Sequence, residues 1–140
     1  MKIDEIMKSA ALQGACIGPG KVRDWKSLVW LFFSPQGREF CEERNFPPLP
    51  MFREMKRHGI SELGVFVDEG DVFRFNDRDI ALVGDTCGEL KFDENNVVHK
   101  VILMHGAKAR ITASNYVVLL IVNVGGCEVT IDKDETVVVL

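Results

Sequence analysis

The chain has 140 residues, of which 46% are hydrophobic and 27% charged, and its formal net charge is −4. That balance supplies the core of one packed domain and excludes a disordered or collagen-like chain. The longest apolar runs, 28–33 and 116–122, are far too short to span a bilayer, and residues 1–8 lack the apolar segment of a signal peptide. A soluble, cytoplasmic protein is the expectation.

Charge divides the chain. Residues 1–58 hold 10 Lys/Arg against 7 Asp/Glu, and residues 59–140 hold 7 against 14. The first part reads as a helical head and the second as a repetitive β region, with the boundary near Gly59. Ile3, Ile6, Met7, Ala10 and Ala11 follow the spacing of a helix face that ends at Gly14. Asp24 can cap a second helix whose buried stripe is Trp25, Leu28, Val29 and Phe32. Ser34-Pro35 opens a third, because a hydroxyl satisfies an orphan N–H and proline fits the first helical position. It carries Phe40 and Cys41 inward and stops before Asn45-Phe-Pro-Pro48. Pro50 opens a fourth, with Met51, Phe52 and Met55 on one side, and Gly59 closes it.

From Leu63 the apolar period switches to two. Strands are expected at 64–68, 72–76, 79–83, 89–93, 97–104, 108–113, 116–124, 128–132 and 136–140, with Gly, Asn, Asp and Ser between them. The last third repeats at a spacing of 20. Ala107 falls over Cys127, Ala109 over Val129, Ile111 over Ile131, Val117 over Val137 and Leu119 over Val139. Upstream, Val97, Val101 and Gly106 match Val117, Ile121 and Gly126 at 20, while Leu90 and Phe92 match Ala109 and Ile111 at 19. Phe73, Phe75 and Ile80 form a fainter first row. The fold class is therefore α+β, with N-terminal helices packed on an all-β region. Columns in register favour a short β-solenoid of about four coils stacked at about 4.8 Å. The alternative is a jelly roll or antiparallel sandwich, which needs the same turns but no fixed register.

Residues 116–124 are apolar on both faces. If Val117, Leu119 and Ile121 line the coil, then Val118, Leu120 and Val122 point outward and need a cover. The cover is expected to be the helical head, through Trp25, Trp30, Phe32 and Phe52, or a second copy of the chain. The terminal coil around Val137 offers a further edge for self-association.

Signatures of chemistry are weak. Gly14-Ala-Cys-Ile-Gly-Pro-Gly-Lys21 resembles a phosphate loop but has the wrong glycine spacing, and Val22 stands where Ser or Thr is required, so it reads as a turn. His99 and His105 lie six apart rather than two, and His58 is in the helical part, so a cupin-like metal centre is poorly matched and surface or turn histidines are expected. Cys16, Cys41, Cys87 and Cys127 contain no C-x-x-C pair and read as buried, unreactive thiols, with Cys87 and Cys127 too far apart to bridge. For nucleophilic catalysis Cys41 or Cys87 would need a neighbouring base. The acidic corners 68–71 and 132–135 lack the repeat of calcium-filled β-rolls. Lys21, Arg23, Lys26, Arg38, Arg44, Arg53, Lys56 and Arg57 would serve nucleic acid only if they shared one face, and acidic residues interrupt them.

The stretches 34–47 (SPQGREFCEERNFP) and 99–116 (HKVILMHGAKARITASNY) resemble small uncharacterised proteins of gut Bacteroidetes and of their phages or mobile elements. In those a helical head precedes a short repetitive β region. The resemblance implies a phage-related structural or binding role and assigns no residues. No catalytic, cofactor-binding or metal residues are expected, and no cofactor. The expected function is a non-enzymatic structural or interaction module that binds itself or another protein, without membrane contact. The alternatives are a nucleic-acid binder acting through the basic head and a small cupin-like metal-dependent enzyme.

Overall fold

A computed structural model describes residues 2–15 and 22–140. Helix α1 (Ile3–Leu12) buries Ile6 and Ala10. Helix α2 (Trp25–Phe33) begins at a reciprocal cap: the Ser27 N–H donates to the Asp24 carboxylate at 2.8 Å, and the Asp24 N–H donates to Ser27 Oγ at 3.0 Å. Helix α3 (Pro35–Arg44) starts where the Gly37 N–H donates to Ser34 Oγ at 3.1 Å, and it ends at left-handed Asn45. A Cβ at Gly37 would strike the Leu31 carbonyl oxygen, so only glycine lets α3 turn this tightly off α2. Helix α4 (Leu49–Lys56) begins one residue earlier than its prolines suggest, with Pro48 as its N-cap, and is followed by a 3-10 turn at Ile60–Leu63.

Nine strands follow: β1 (Val65–Val67), β2 (Gly70–Phe75), β3 (Asp79–Val83), β4 (Thr86–Phe92), β5 (Val98–Met104), β6 (Lys108–Ala113), β7 (Val118–Asn123), β8 (Glu128–Lys133) and β9 (Val138–Val139). Odd strands form one parallel sheet, β1-β3-β5-β7-β9, and even strands form the other, β2-β4-β6-β8. Each coil of chain contributes one strand to each sheet. This is a β-solenoid of about four turns, and the antiparallel sandwich is excluded. Ile111 pairs with Ile131, Ala109 with Val129, and Leu119 with Val139, as the 20-residue columns require.

The step between coils varies. Val65 pairs with Ala81 and Gly70 with Thr86, a step of 16. Asp79 pairs with Lys100 and Cys87 with Lys108, a step of 21. Val98 pairs with Val118 and Lys108 with Glu128, a step of 20. Leu90 and Phe92 therefore stack on Ile111 and Ala113, not on Ala109 and Ile111 as the 19-residue match suggested. The extra residue lies in the β4–β5 corner. Asn76 and Asp93 brace the corners there, with Asn76 Nδ2 donating to Asp93 Oδ1 at 2.7 Å and the Asp93 N–H donating to Asn76 Oδ1 at 2.8 Å.

Two cores result. Between the sheets lie Ile80, Leu82, Leu90, Phe92, Val101, Leu103, Ile111, Val117 and Leu119, with the smaller Ala107, Ala109 and Ala113 opposite the bulkier side chains. Gly88 belongs to this packing, because a Cβ there would come within 2.5 Å of Leu82 Cδ1. The second core lies outside the solenoid, where Ile6, Leu28, Val29, Phe33 and Phe52 of the helices meet Ala81, Val83, Ile102, Met104, Val122 and Val124 of the odd-strand wall. Head and coil thus share one core.

Candidate interaction surface

The helical roof covers only part of the odd-strand wall. Val122 is buried beneath it, whereas Leu120 and Val118, two and four residues before it, are half-buried. Register carries this strip across coils. Val98 pairs with Val118 and Val118 with Val138, and all three point outward. Val98 is 41% exposed, Val138 50% and Leu140 64%. The uncovered wall is therefore a ladder of aliphatic side chains at strand spacing. Beside it Lys100 and Asp79, 3.6 Å apart, neutralise each other.

The aromatic residues expected to cover the wall divide. Phe52 is fully buried, and Phe32 packs edge-on against it with ring centroids 5.9 Å apart. Trp25 is half-buried at the edge of the shared core and stacks on His58 at 4.3 Å. Trp30 is 74% exposed, which corrects its expected role in the cover. It lies off the helical stripe formed by Leu28, Val29 and Phe32, so burying that stripe turns it outward.

Polar contacts fix the roof to the coil. Arg53 Nε of α4 donates to Asp68 Oδ2 at 2.7 Å, the Asp85 N–H donates to Asp68 Oδ1 at 2.8 Å, and Lys56 Nζ donates to the Asp68 carbonyl at 3.2 Å. The Arg53 hydrogen bond, then that from Asp85, holds the Asp68 carboxyl below the usual range. His105 bridges the same junction, with Nε2 2.7 Å from the Pro47 carbonyl and its ring packed edge-on to Phe52.

The even-strand wall, across the solenoid, presents a different face. Phe73 and Phe75 point outward and are 72% and 62% exposed, contrary to the row that set them inside. The 16-residue first step places Arg74 in the inner column above Leu90. Arg74 lies over the Phe66 ring at 5.7 Å and donates through Nε to Asp77 at 2.7 Å. A cation therefore closes that end of the coil, and its aromatic neighbours face water.

The chemistry-bearing residues are dispersed. His99 is fully buried, which corrects its expected place at the surface. Its Nδ1 lies 2.7 Å from the Asp77 carbonyl oxygen and its Nε2 2.7 Å from that of Glu94, so neither nitrogen is left for a metal. Burial pushes the Cys41 thiol up to about 12, and it stays protonated. Cys127 is buried and Cys87 exposed, so Cys87 departs from the expectation of buried thiols; all three described cysteines are free. Cys16 and residues 16–21 of the glycine-rich loop lie outside the described residues. Several basic side chains of the head have local partners: Arg38 donates to the Phe33 carbonyl at 2.6 Å, and Arg57 lies 3.6 Å from Glu54. A cavity of about 240 Å³ in the head is lined mainly by apolar side chains such as Ile6, Ala10, Leu28 and Phe40.

No family model, curated protein or solved structure matches the chain. Among the described residues no helix is long and apolar enough to cross a membrane. Sequence reasoning missed Val98 and Val138, although the 20-residue period already aligns them with Val118. It missed Phe73 and Phe75 as surface residues because hydropathy alone sends phenylalanine inward.

Proposed function

We propose that the protein is a non-enzymatic, cytoplasmic assembly module whose solenoid is a rigid platform for other protein chains, first of all its own copies. One observation carries this reading: the aliphatic ladder Val98–Val118–Val138, with Leu120 beside it, continues outward from the helical roof, and the only ions between ladder and roof among the described residues, Lys100 and Asp79, pair with each other. A flat, neutral wall can meet its own copy without burying an unpaired ion. The resemblance to proteins of phages and mobile elements is in keeping with a structural role.

The nucleic-acid alternative draws less support, because Arg53, Lys56, Arg57 and Arg38 are engaged by groups of the chain itself. A cupin-like reaction would need His58, His99 and His105 together, and each is held by a different neighbour.

Light scattering on the full chain tests the proposal. The particle should be larger than a single chain, and Val118→Asp should reduce its mass by placing a charge in the middle of the strip. A mass that Val118→Asp leaves unchanged overturns the strip as an assembly surface.

A further inference from the structure

Two of the three outward columns of the even-strand wall run Phe73–Glu89–Arg110–Thr130 and Phe75–Lys91–Thr112–Asp132, and the third is Asp71–Cys87–Lys108–Glu128. Phe73 and Phe75 are the most exposed large apolar groups on any strand, and on the next strand Glu89 and Lys91 stand at the matching positions. Neither Glu89 nor Lys91 makes an ion pair with a described residue. We infer that this face is a two-fold interface with a second copy of the chain, separate from the aliphatic strip on the opposite wall. The occupant is identified by charge. A two-fold axis parallel to the coil axis, passing between the two columns, reverses each strand over its own copy. Phe73 then meets Phe75 of the second copy, and Glu89 meets Lys91, each pair formed twice. On the outer strands Arg110 meets Thr112 and Thr130 meets Asp132, so no like charges oppose in these two columns, and the third column, Asp71–Cys87–Lys108–Glu128, lies beyond the ends of the copy's strands.

Other arrangements are worse. An axis along the strands also joins Glu89 to Arg110, but it lays both phenylalanines on Thr130 and Asp132 and brings Asp71 over Glu128. Centring the first axis on the Phe73 column instead opposes Glu89 to its own copy and Glu128 to Asp132. Charge and aromatic placement thus select one register.

The contact is small. Four strands at about 4.8 Å, facing their copies over at most five residues at about 3.3 Å in this register, give a footprint of about 300 Å² on each copy, well under half that of a standard interface. The dimer should therefore be weak and concentration-dependent. With the aliphatic strip as a second surface, the chain can assemble beyond a dimer.

The experiment uses the Val118→Asp chain, in which only this face should remain, and follows its mass by light scattering or sedimentation from about 1 to 500 μM. A concentration-dependent dimer is expected. Phe73→Ser with Phe75→Ser should abolish it. Glu89→Lys alone and Lys91→Glu alone should each weaken it at least tenfold by setting like charges together. The double exchange, Glu89→Lys with Lys91→Glu, should restore it to within about threefold. All four positions are solvent-facing, so folding is retained and circular dichroism verifies it. A Val118→Asp chain that stays monomeric at 500 μM overturns the inference. So does a double exchange no better than the singles, since that outcome denies the Glu89–Lys91 register. Failure here leaves the mass change caused by Val118→Asp itself untouched, so the two surfaces are judged independently.

Discussion

Ile111→Ala should destabilise the solenoid by about 3 kcal/mol, while Arg110→Ala, one residue away, should stay within about 0.5 kcal/mol. Ile111 is fully buried between the sheets, with Leu90 on the coil above and Ile131 on the coil below. Truncating it removes contacts from both neighbours, and the sheet backbones on either side hold the gap open. Arg110 points the other way, into solvent. Denaturant unfolding of the two variants measures the contrast directly. Equal costs at the two positions would mean that the face assignment of β6 is wrong.

His99→Leu is the second large effect. Leucine keeps the bulk against Phe92, whose ring lies 4.7 Å from that of His99. It removes the imidazole N–H from a site where the ring nitrogens lie 2.7 Å from the carbonyl oxygens of Asp77 and Glu94. An unsatisfied buried acceptor costs about 1–3 kcal/mol, and with one donor lost at a part-buried site a destabilisation of about 1–2 kcal/mol is expected. His99→Gln should recover part of this, because an amide nitrogen can serve one carbonyl. If leucine were as stable as histidine, the polar contacts of the ring would have no part in joining the corners.

The repetitive architecture is legible in the sequence because its core columns are aliphatic and the later coils keep a step of 20. Ile111 over Ile131 and Leu119 over Val139 need nothing else. The step of 21 is not legible in the same way. Sliding Leu90 and Phe92 by 19 or by 21 leaves the same faces inward, so side-chain alternation cannot separate the two, and only the five-residue corner 93–97 decides. Phe73 and Phe75 mislead for another reason. The first coil has no coil above it, so its inner position can hold a cation such as Arg74, while an aromatic pair faces out. His99 was opaque because its partners come from two corners, Asp77 and Glu94, that only the coiling brings together.

The surface strip was half legible. Doubly apolar residues 116–124 pointed to a cover over Val118, Leu120 and Val122, and the helices bury Val122 while leaving Val118 and Leu120 half-buried. How far the roof extends depends on where α3 meets β7, which no periodicity encodes. Trp30 illustrates the cost of choosing partners by size rather than by helical phase.

Methyl NOE contacts in the isotopically labelled protein test the stacked columns most directly. The account predicts cross-peaks from Ile111 to both Leu90 and Ile131, and from Leu119 to Val139, because these pairs lie one strand spacing, about 4.8 Å, apart. Contacts that pair β6 antiparallel with β5 or β7, with no cross-peak from Ile111 to Leu90 or Ile131, would contradict the coil and remove both proposed surfaces with it.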